Sequence, residues 1–480
     1  MIILVWLRHD LRLADHPALW QAVQDGAVVV PVFVWAPEEE DPWAPGGAHR
    51  WWLHHSLTDL KARLQAHGSD LVLRSGPSLE ALREVAATTG ADAVYWNARL
   101  LPALRARDAE IRAALDADGL TVKTFTGRIL HDPDAVQTGS GGPYKVFTPF
   151  WKKLGKLDYE VDAPLDVPIL TGTAPVAWPA SEAIGGWALT PEAQDGVDWA
   201  TEIAARWTPG EEAAQARLQA FMDEALIDYA DDRNRPDRPG SSSLSPYLHH
   251  GEISPRQVWH AVQGWIQNGA MKDAAEVFLS EIVWREFSYH LLWHFPETPT
   301  EPLKDKYAAF PWADDAEGLR RWQRGQTGYP IVDAGMRQLY ATGWMHNRVR
   351  MIVASFLTKD LLLPWQRGAE WFWDCLVDAD LASNTMGWQW AAGSGADAQP
   401  FFRIFNPVSQ GERYDPQGDY VRRWVPELRD LPTKYLHAPW DAPAQQLRQA
   451  GIALGETYPH PMVNHKAARQ AALDAYETIK

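Results

Sequence analysis

The first 130 residues alternate short apolar runs with stretches in which apolar residues recur at helical spacing. The apolar runs at 2–7, 28–35, 70–75, 93–97 and 121–125 are continuous, which predicts strands buried on both faces of a sheet. The segments between them, at 15–24, 49–67, 78–88 and 102–117, are predicted as helices. This alternation indicates βαβ units and therefore a Rossmann-like parallel sheet of five strands.

The pattern changes twice beyond this region. Residues 131–208 are rich in Pro, Ala and Gly and are predicted as a linker between domains. From residue 209 to the end the pattern is helical, and Val349, Ile352, Val353, Phe356 and Leu357 follow the i, i+3, i+4, i+7, i+8 spacing of an amphipathic helix. The predicted domains are thus an α/β domain at 1–130, the linker at 131–208 and an all-α domain at 209–480.

Composition narrows the class of protein. The 480 residues include 46% hydrophobic and 22% charged residues, as in globular proteins, but also 26 Trp, several times the usual share. One cysteine, Cys375, excludes an internal disulfide and a cysteine-based metal site. No apolar run approaches the ~20 residues of a membrane span, and the N-terminal run lacks a basic leader, so we expect a cytoplasmic protein with no membrane partner.

The net charge of −17 argues against general attraction to nucleic acid. Charge interactions at a protein surface are screened over ~8–10 Å, however. A local basic patch therefore remains compatible with this composition.

Two polar segments in the helical part each fit a structural and a functional interpretation. Residues 240–246, Gly-Ser-Ser-Ser-Leu-Ser-Pro, precede a helical stretch, where small hydroxyl residues act as N-caps or as phosphate ligands. Asp378 and Asp380 fit a helix N-cap or a carboxylate pair. Because no further carboxylate or histidine cluster accompanies them in sequence, we predict no metal site.

A predicted helix at 281–287 brings a carboxylate and an aromatic ring to one face. Glu281 and Trp284 are spaced i, i+3, and Glu281 is also spaced i, i+4 from Arg285. The face therefore fits either a solvated ion pair beside a packed Trp, or a carboxylate and a ring presented to a ligand.

A second predicted helix, at 344–351, places Trp344, Asn347, Arg350 and Met351 near one face, away from the apolar stripe. Such a helix, apolar on one face and mixed on the other, suggests a site. His346 within it is expected to be a structural hydrogen-bonding residue.

These segments resemble the DNA photolyase/cryptochrome family over almost the whole chain. The similar motifs are RHDLRLADHPAL at 8–19, QTGYPIVDAGMRQL at 326–339, WMHNRVRM at 344–351, SFLTKDLL at 355–362 and DADLASNTMGWQW at 378–390. Within the family the chain is most similar to bacterial class I enzymes that repair cyclobutane pyrimidine dimers.

The resemblance implies that the helical domain binds one FAD, active in its reduced form. The implied FAD-binding residues include phosphate contacts, carboxylates facing the ribityl chain and the ring, and a counter-charge: Tyr229, Ser241, Ser242, Ser243, Leu244, Ser245, Trp344, Arg350, Asp378, Asp380 and Asn384. Asn384 would lie at flavin N5 and favour the reduced anion. Plant cryptochromes typically have Asp at that position, so Asn384 favours repair.

The implied activity is that of a light-driven carbon–carbon lyase acting on dimers in UV-damaged DNA. Photolyases act on a base taken out of the stack, and Glu281 would stabilise the electron-accepting dimer by a preorganised hydrogen bond. The implied DNA- and dimer-binding residues are Arg233, Glu281, Trp284, Asn347, Arg348, Met351, Trp390, Arg403 and Gln410. Electrons would reach oxidised flavin through Trp312 at the surface, Trp365, and Trp388 beside the flavin.

A second, light-harvesting chromophore is left open. The segment 101–105 lacks the Glu of folate-binding relatives, and the Lys expected near 299–300 is absent. This argues against folate and leaves a deazaflavin, a flavin or no antenna.

The alternative functions are a cryptochrome-type blue-light sensor without repair activity, and a redox flavoprotein. The sequence ends without the low-complexity tail common in sensors, and it has no nicotinamide-binding turn. We expect a monomer that associates with the nucleoid when bound to DNA.

Overall fold

The computed structural model describes residues 1–156, 161–190, 199–267, 272–398 and 400–480. The chain divides into two compact units. The first contains Met1–Glu224, Ser242–Pro296 and Val377–Asp380, and the second contains Ala225–Ser241, Glu297–Leu376 and Leu381–Lys480. The division at residues 130 and 208 that the sequence pattern indicates remains a prediction.

The first unit is built on a parallel sheet. Its strands are β1 (Ile2–Leu7), β2 (Val28–Trp35), β3 (Val72–Ser75), β4 (Ala93–Asn97) and β5 (Thr121–Phe125), in the spatial order β3-β2-β1-β4-β5. In the register of the central pair, Ile2 of β1 lies opposite Val28 of β2. The predicted five-stranded parallel sheet is confirmed.

Helices cover both faces of this sheet because successive strand residues point to opposite sides. Val5 and Phe33 pack in one apolar cluster with α1 (Pro17–Gln24) and α2 (Gly47–Ala66). Trp6 and Trp96 pack in the other cluster with α3 (Ser78–Thr89) and α4 (Pro102–Ala117). β1, β2 and β4 each contribute side chains to both clusters and are therefore buried on two sides, as their apolar runs predict.

Helices dominate the remainder of the described chain. Those before residue 300 are α5 (Phe147–Lys156), α6 (Ala200–Arg206), α7 (Glu211–Glu224), α8 (Tyr229–Asp232), α9 (Ser245–His250), α10 (Pro255–Gln267) and α11 (Lys272–His294). Those that follow are α12 (Ala316–Gln323), α13 (Pro330–Thr342), α14 (Asn347–Ser355), α15 (Trp365–Cys375), α16 (Leu381–Ala392), α17 (Pro407–Tyr414), α18 (Asp419–Trp424), α19 (Thr433–Leu436), α20 (Ala444–Gln449) and α21 (His465–Glu477).

One prediction of local structure is wrong, and the predicted linker contains helices. β5, an edge strand, is not buried on both faces and exposes Thr121, Lys123 and Thr124, whereas β3 at the opposite edge is buried at Val72, Leu73 and Arg74. The segment predicted as a linker contains helices α5 and α6, since its Pro- and Gly-rich composition conceals the apolar positions of α5. Part of that segment, 157–160 and 191–198, lies outside the described residues.

The apolar stripe of the second unit is buried as predicted. Val349, Ile352 and Val353 lie on α14, and Phe356 and Leu357 continue it in a π-helical turn, Phe356–Asp360. The spacing i to i+8 predicts burial correctly but does not reveal the change of helix type.

Candidate cofactor- and DNA-binding residues

Helix α11 of the first unit carries Glu281 and Trp284, both half-buried. Phe147, on α5, stacks on the Trp284 indole with ring centroids 3.6 Å apart and planes inclined by 7°. Arg285 directs Nη1 to the backbone carbonyl of Arg128 at 2.7 Å. The indole is thus held in a fixed plane by a second aromatic ring.

Asp378 and Asp380 are buried carboxylates of the first unit. The hydroxyl of Tyr289, on α11, donates a hydrogen bond to Asp380, and the Arg128 guanidinium lies 4.0 Å from the same carboxylate. Burial raises the pKa of Tyr289, so its hydroxyl stays protonated and remains a donor. Side chains from two distant segments therefore fix the orientation of Asp380.

The serine-rich run does not behave as a helix cap. The N-cap residue of α9 is Leu244, which forms no side-chain capping bond, and Ser243 adopts a left-handed backbone conformation with φ of 55°. The Ser242 hydroxyl accepts a hydrogen bond from the Leu244 amide at 3.4 Å. The capping interpretation of this run is therefore not supported by the geometry around Leu244.

The second unit contains the segment 344–351, where one part of the prediction is wrong. Trp344 is buried but lies in the turn before α14 and not on the helix, because Gly343 ends α13 and His346 caps α14. His346 Nδ1 accepts the Arg348 amide at 3.2 Å, as expected for a structural histidine. On the helix itself, Asn347 is exposed.

Arg350 and Met351 follow on the same helix and are half-buried. The Arg350 Nε donates to the Met345 carbonyl at 2.8 Å. This bond fixes the Nε end of the Arg350 guanidinium against the turn that precedes α14.

Arg348 and Arg233 are the candidate phosphate contacts of the second unit. Both Nε and Nη2 of Arg348 donate to Asn234 Oδ1, at 3.2 and 2.5 Å, and its guanidinium lies over the Tyr414 ring at 4.5 Å. The Arg233 guanidinium lies 5.8 Å from the ring of buried Tyr229. Asn234 and Tyr414 therefore hold the half-buried Arg348 guanidinium in place.

Asn384, on α16, has a defined amide orientation. Its Nδ2 donates to the Ala369 carbonyl at 3.1 Å, which leaves Oδ1 as a hydrogen-bond acceptor. The side chain is half-buried.

The three tryptophans proposed for electron transfer differ in burial. Trp388 and Trp365 are 2% and 1% exposed, whereas Trp312 is partly exposed and packs on Phe310 with ring centroids 4.3 Å apart. The Trp388 Nε1 is buried and has no hydrogen-bond partner among the described residues. The partial exposure of Trp312 agrees with a place at the surface end of the relay, whereas burial does not order Trp365 and Trp388.

The remaining predicted DNA contacts lie on α16, on α17 and in the turn between them. Trp390 and Gln410 are half-buried, and Arg403 is exposed. The neighbouring Phe402 is a large exposed apolar side chain, with 58% of its surface accessible. An exposed ring next to an exposed guanidinium suits contact with nucleic acid.

Comparison with known proteins decides the family. A family described as "DNA photolyase" matches residues 3–168, and one described as "FAD binding domain of DNA photolyase" matches residues 278–478. Over 478 residues, 100% of this chain and 98% of the relative, the sequence is 52% identical to the deoxyribodipyrimidine photo-lyase of Agrobacterium fabrum.

The chain belongs to the DNA photolyase/cryptochrome family. Cryptochrome-1 of Arabidopsis thaliana is 39% identical over 481 residues, which cover 97% of this chain and 69% of the cryptochrome. The crystal structure of a bacterial class III photolyase from Agrobacterium tumefaciens matches with a TM-score of 0.95 at 51% identity, over 99% of this chain and 97% of that one.

These similarities confirm the family, the fold class of an α/β domain with a helical FAD-binding domain, and FAD as cofactor. The narrower assignment to class I is not supported, because a class III structure is so similar. Within the described residues, no helix is long and apolar enough to cross a membrane.

The residues present fit FAD chemically. The buried carboxylates of Asp378 and Asp380 can accept hydrogen bonds from hydroxyl and N–H groups, and the serine hydroxyls at 241–243 are not used as helix caps. Arg350 supplies a cation, and Asn384 Oδ1 supplies an acceptor.

Several positioning residues have no signal in the sequence. Phe147 is 137 positions from Trp284, Tyr289 is 91 from Asp380, and Asn234 is 114 from Arg348. Only the tertiary structure pairs them, since local periodicity covers a few residues.

Proposed function

We propose that this protein repairs cyclobutane pyrimidine dimers in UV-damaged DNA by light-driven electron transfer. The observation that carries this proposal is the 52% identity, over the full chain, to a deoxyribodipyrimidine photo-lyase. The enzyme is thus a carbon–carbon lyase. We further propose that it acts as a cytoplasmic monomer.

Bound FAD in its reduced form supplies the light-driven electron for ring cleavage and takes it back. For the cofactor, we propose phosphate contacts from Tyr229 and the run Ser241, Ser242, Ser243, Leu244 and Ser245, and contacts from Trp344. Asp378 and Asp380 accept hydrogen bonds, and Arg350 balances negative charge. Asn384 offers Oδ1, since its Nδ2 is bound to Ala369.

Recognition of the dimer rests on a carboxylate and an aromatic platform. The Glu281 carboxylate accepts a hydrogen bond from an N–H group at the polar edge of the pyrimidines. Trp284, held flat by Phe147, stacks on them together with Trp390. Asn347 and Met351 are further proposed contacts of the dimer, and Asn347 is exposed, as contact with a substrate requires.

The flanking DNA backbone is held by a small basic rim. Arg233, Arg348 and Arg403 contact phosphates by charge-assisted hydrogen bonds, and Gln410 assists them. A rim of a few cations accounts for DNA binding by a chain of net charge −17.

A separate set of residues restores the active redox state. Trp312, Trp365 and Trp388 relay electrons inward, which agrees with the partial exposure of Trp312 and the burial of the other two. Trp388→Phe should block photoreduction of oxidised enzyme yet spare repair by enzyme reduced beforehand.

The decisive experiment measures loss of dimers from a dimer-containing oligonucleotide under blue light, with a dark control. Glu281→Gln is expected to reduce the repair yield by roughly an order of magnitude, the effect of one hydrogen bond to a charged group. Glu276→Gln, on the exposed face of the same helix, is the matched control and should leave the yield unchanged.

The outcomes separate the candidate functions. Light-dependent repair excludes a pure sensor. Absence of repair by reduced, FAD-loaded protein would favour the cryptochrome-type photoreceptor, to which similarity is also substantial.

A further inference from the structure

Three buried histidines of the first unit meet at the carboxyl end of the sheet. They are His9, directly after β1, His49 on α2 and His249 on α9. One nitrogen of each can be chosen so that all three lie within 4.8 Å of one another. They take no part in the proposed repair reaction.

The close approach of α9 to the end of β1 depends on Gly251. Gly251 follows α9 with φ of 73°, and a Cβ there would lie 2.6 Å from the Asp10 Cα and closer to the His9 carbonyl. A side chain at this position would push α9 away from the end of β1. The backbone is therefore arranged so that His249 and His9 come close.

The hydrogen bonding of the cluster is incomplete. His249 Nε2 lies 3.0 Å from His49 Nδ1, but His49 Nε2 and His249 Nδ1 are buried without a partner among the described residues. A buried polar atom without a partner typically destabilises a fold by ~1–3 kcal/mol. A ligand that these nitrogens bind would remove that penalty.

We propose that His9, His49 and His249 form a binding site for a zinc-like divalent transition-metal ion. Imidazole is a preferred ligand of such ions, and three histidines with one open position are a known zinc arrangement. Zn–N bonds of ~2.0–2.1 Å place tetrahedral ligands about 3.4 Å apart, so no pair of the chosen nitrogens has to close by more than about 1.4 Å.

The surroundings satisfy the two further needs of such a site, neutral ligands and access. Burial lowers the pKa of all three histidines, which are therefore neutral and able to bind a cation at pH 7. His9 and His49 also line a small, partly open cleft with room for about one water molecule, through which an ion can enter.

Two guanidinium groups near the cluster are neutralised by acidic partners. Arg99 lies 3.6 Å from Glu40, and Arg128 lies 4.0 Å from Asp380. The repulsion that an added cation would meet is therefore reduced.

The test uses full-length, FAD-loaded protein without a histidine tag, stripped with a chelator. Equilibrium dialysis against Zn²⁺ is expected to give one ion per chain, with none bound from Mg²⁺, and Co²⁺ should give the visible spectrum of a tetrahedral site. His49→Gln or His249→Gln should weaken Zn²⁺ binding by more than about 100-fold, since even outer-shell partners matter 10- to 100-fold. His67→Gln, which removes an exposed histidine next to α2, is the matched control.

Each result decides the proposal. No stoichiometric Zn²⁺, or binding that persists in both variants, would overturn it. If a variant does not fold, the stoichiometry and the Co²⁺ spectrum of the unmodified protein decide alone. None of these readouts depends on repair activity, so the metal-site proposal is tested independently of the proposed repair function.

Discussion

The packing of Trp388 against Gly368 gives a sharp test of the position of this indole. A Cβ on Gly368 would lie 2.6 Å from Cζ2 of Trp388 and closer still to Cη2 and Cζ3, whereas carbon atoms in contact lie ~3.5–4.0 Å apart. All three atoms belong to the six-membered ring. Gly368→Ala therefore forces the indole to move by about 1 Å or more.

Gly368→Ala is expected to change the free energy of unfolding with opposite signs in the presence of Trp388 and in the Trp388→Phe variant. Alanine in a helix interior is favoured over glycine by ~1 kcal/mol, and overpacking a core destabilises by ~1–3 kcal/mol. With Trp388 present, Gly368→Ala should lower the free energy of unfolding by up to about 2 kcal/mol. With Trp388→Phe, whose ring lacks the clashing atoms, the same change should raise it by up to about 1 kcal/mol.

The assay is a double-mutant cycle of urea unfolding on the unchanged protein, the two single variants and the double variant. We expect a coupling energy of about 1–3 kcal/mol, and slower photoreduction in Gly368→Ala alone. Equal effects of the alanine in both backgrounds, within ~0.5 kcal/mol, would refute the assigned packing.

Three further predictions follow from hydrogen bonds and pKa values. Tyr289→Phe removes the donor to Asp380 and should destabilise the protein by ~1–3 kcal/mol and loosen FAD, as measured by unfolding and by cofactor retention. Arg348→Gln should weaken DNA binding and reduce the salt slope by about one, and Asn234→Ala, which frees this guanidinium, should have a smaller effect; an unchanged anisotropy titration would count against both. Burial lowers the pKa of His49 to about 3, so the unfolded state binds more protons than the folded state between about pH 6.5 and 3. The free energy of unfolding therefore falls as the pH falls through this range, and His49→Gln should flatten that dependence in urea unfolding.

The parallel sheet is predictable because each strand carries its own signal. A continuous apolar run can be satisfied only by burial on both faces, and β1, β2 and β4 meet this condition within single segments. β5 exposes Thr121, Lys123 and Thr124, although β3, the other strand with only one neighbour, is buried at three of its four residues. Exposure therefore depends on which faces other segments cover, and a five-residue run does not reveal that. The strand is therefore predicted correctly and its exposure wrongly.

The geometry of the candidate site is harder to predict from the sequence than the sheet is. Trp344 fits a helical face by spacing, but the cap at His346 excludes it from the helix, and competition between a cap and a continuing helix is decided by side-chain geometry. The residues of the family motifs are recognisable from sequence, whereas the residues that orient them, such as Tyr289 and Asn234, are not.

The histidine cluster shows most clearly why sequence reasoning predicts no metal site. Metal-binding motifs are recognised by close spacing, but His49 and His249 are 200 residues apart, and His9 belongs to yet another segment. Each alone is a polar residue at a strand end or on a helix. They converge because strands of a parallel sheet end on one edge and because Gly251 lets α9 approach that edge. The chemistry of the cluster is therefore a property of the fold, and metal binding by the intact protein is the measurement that can reveal it.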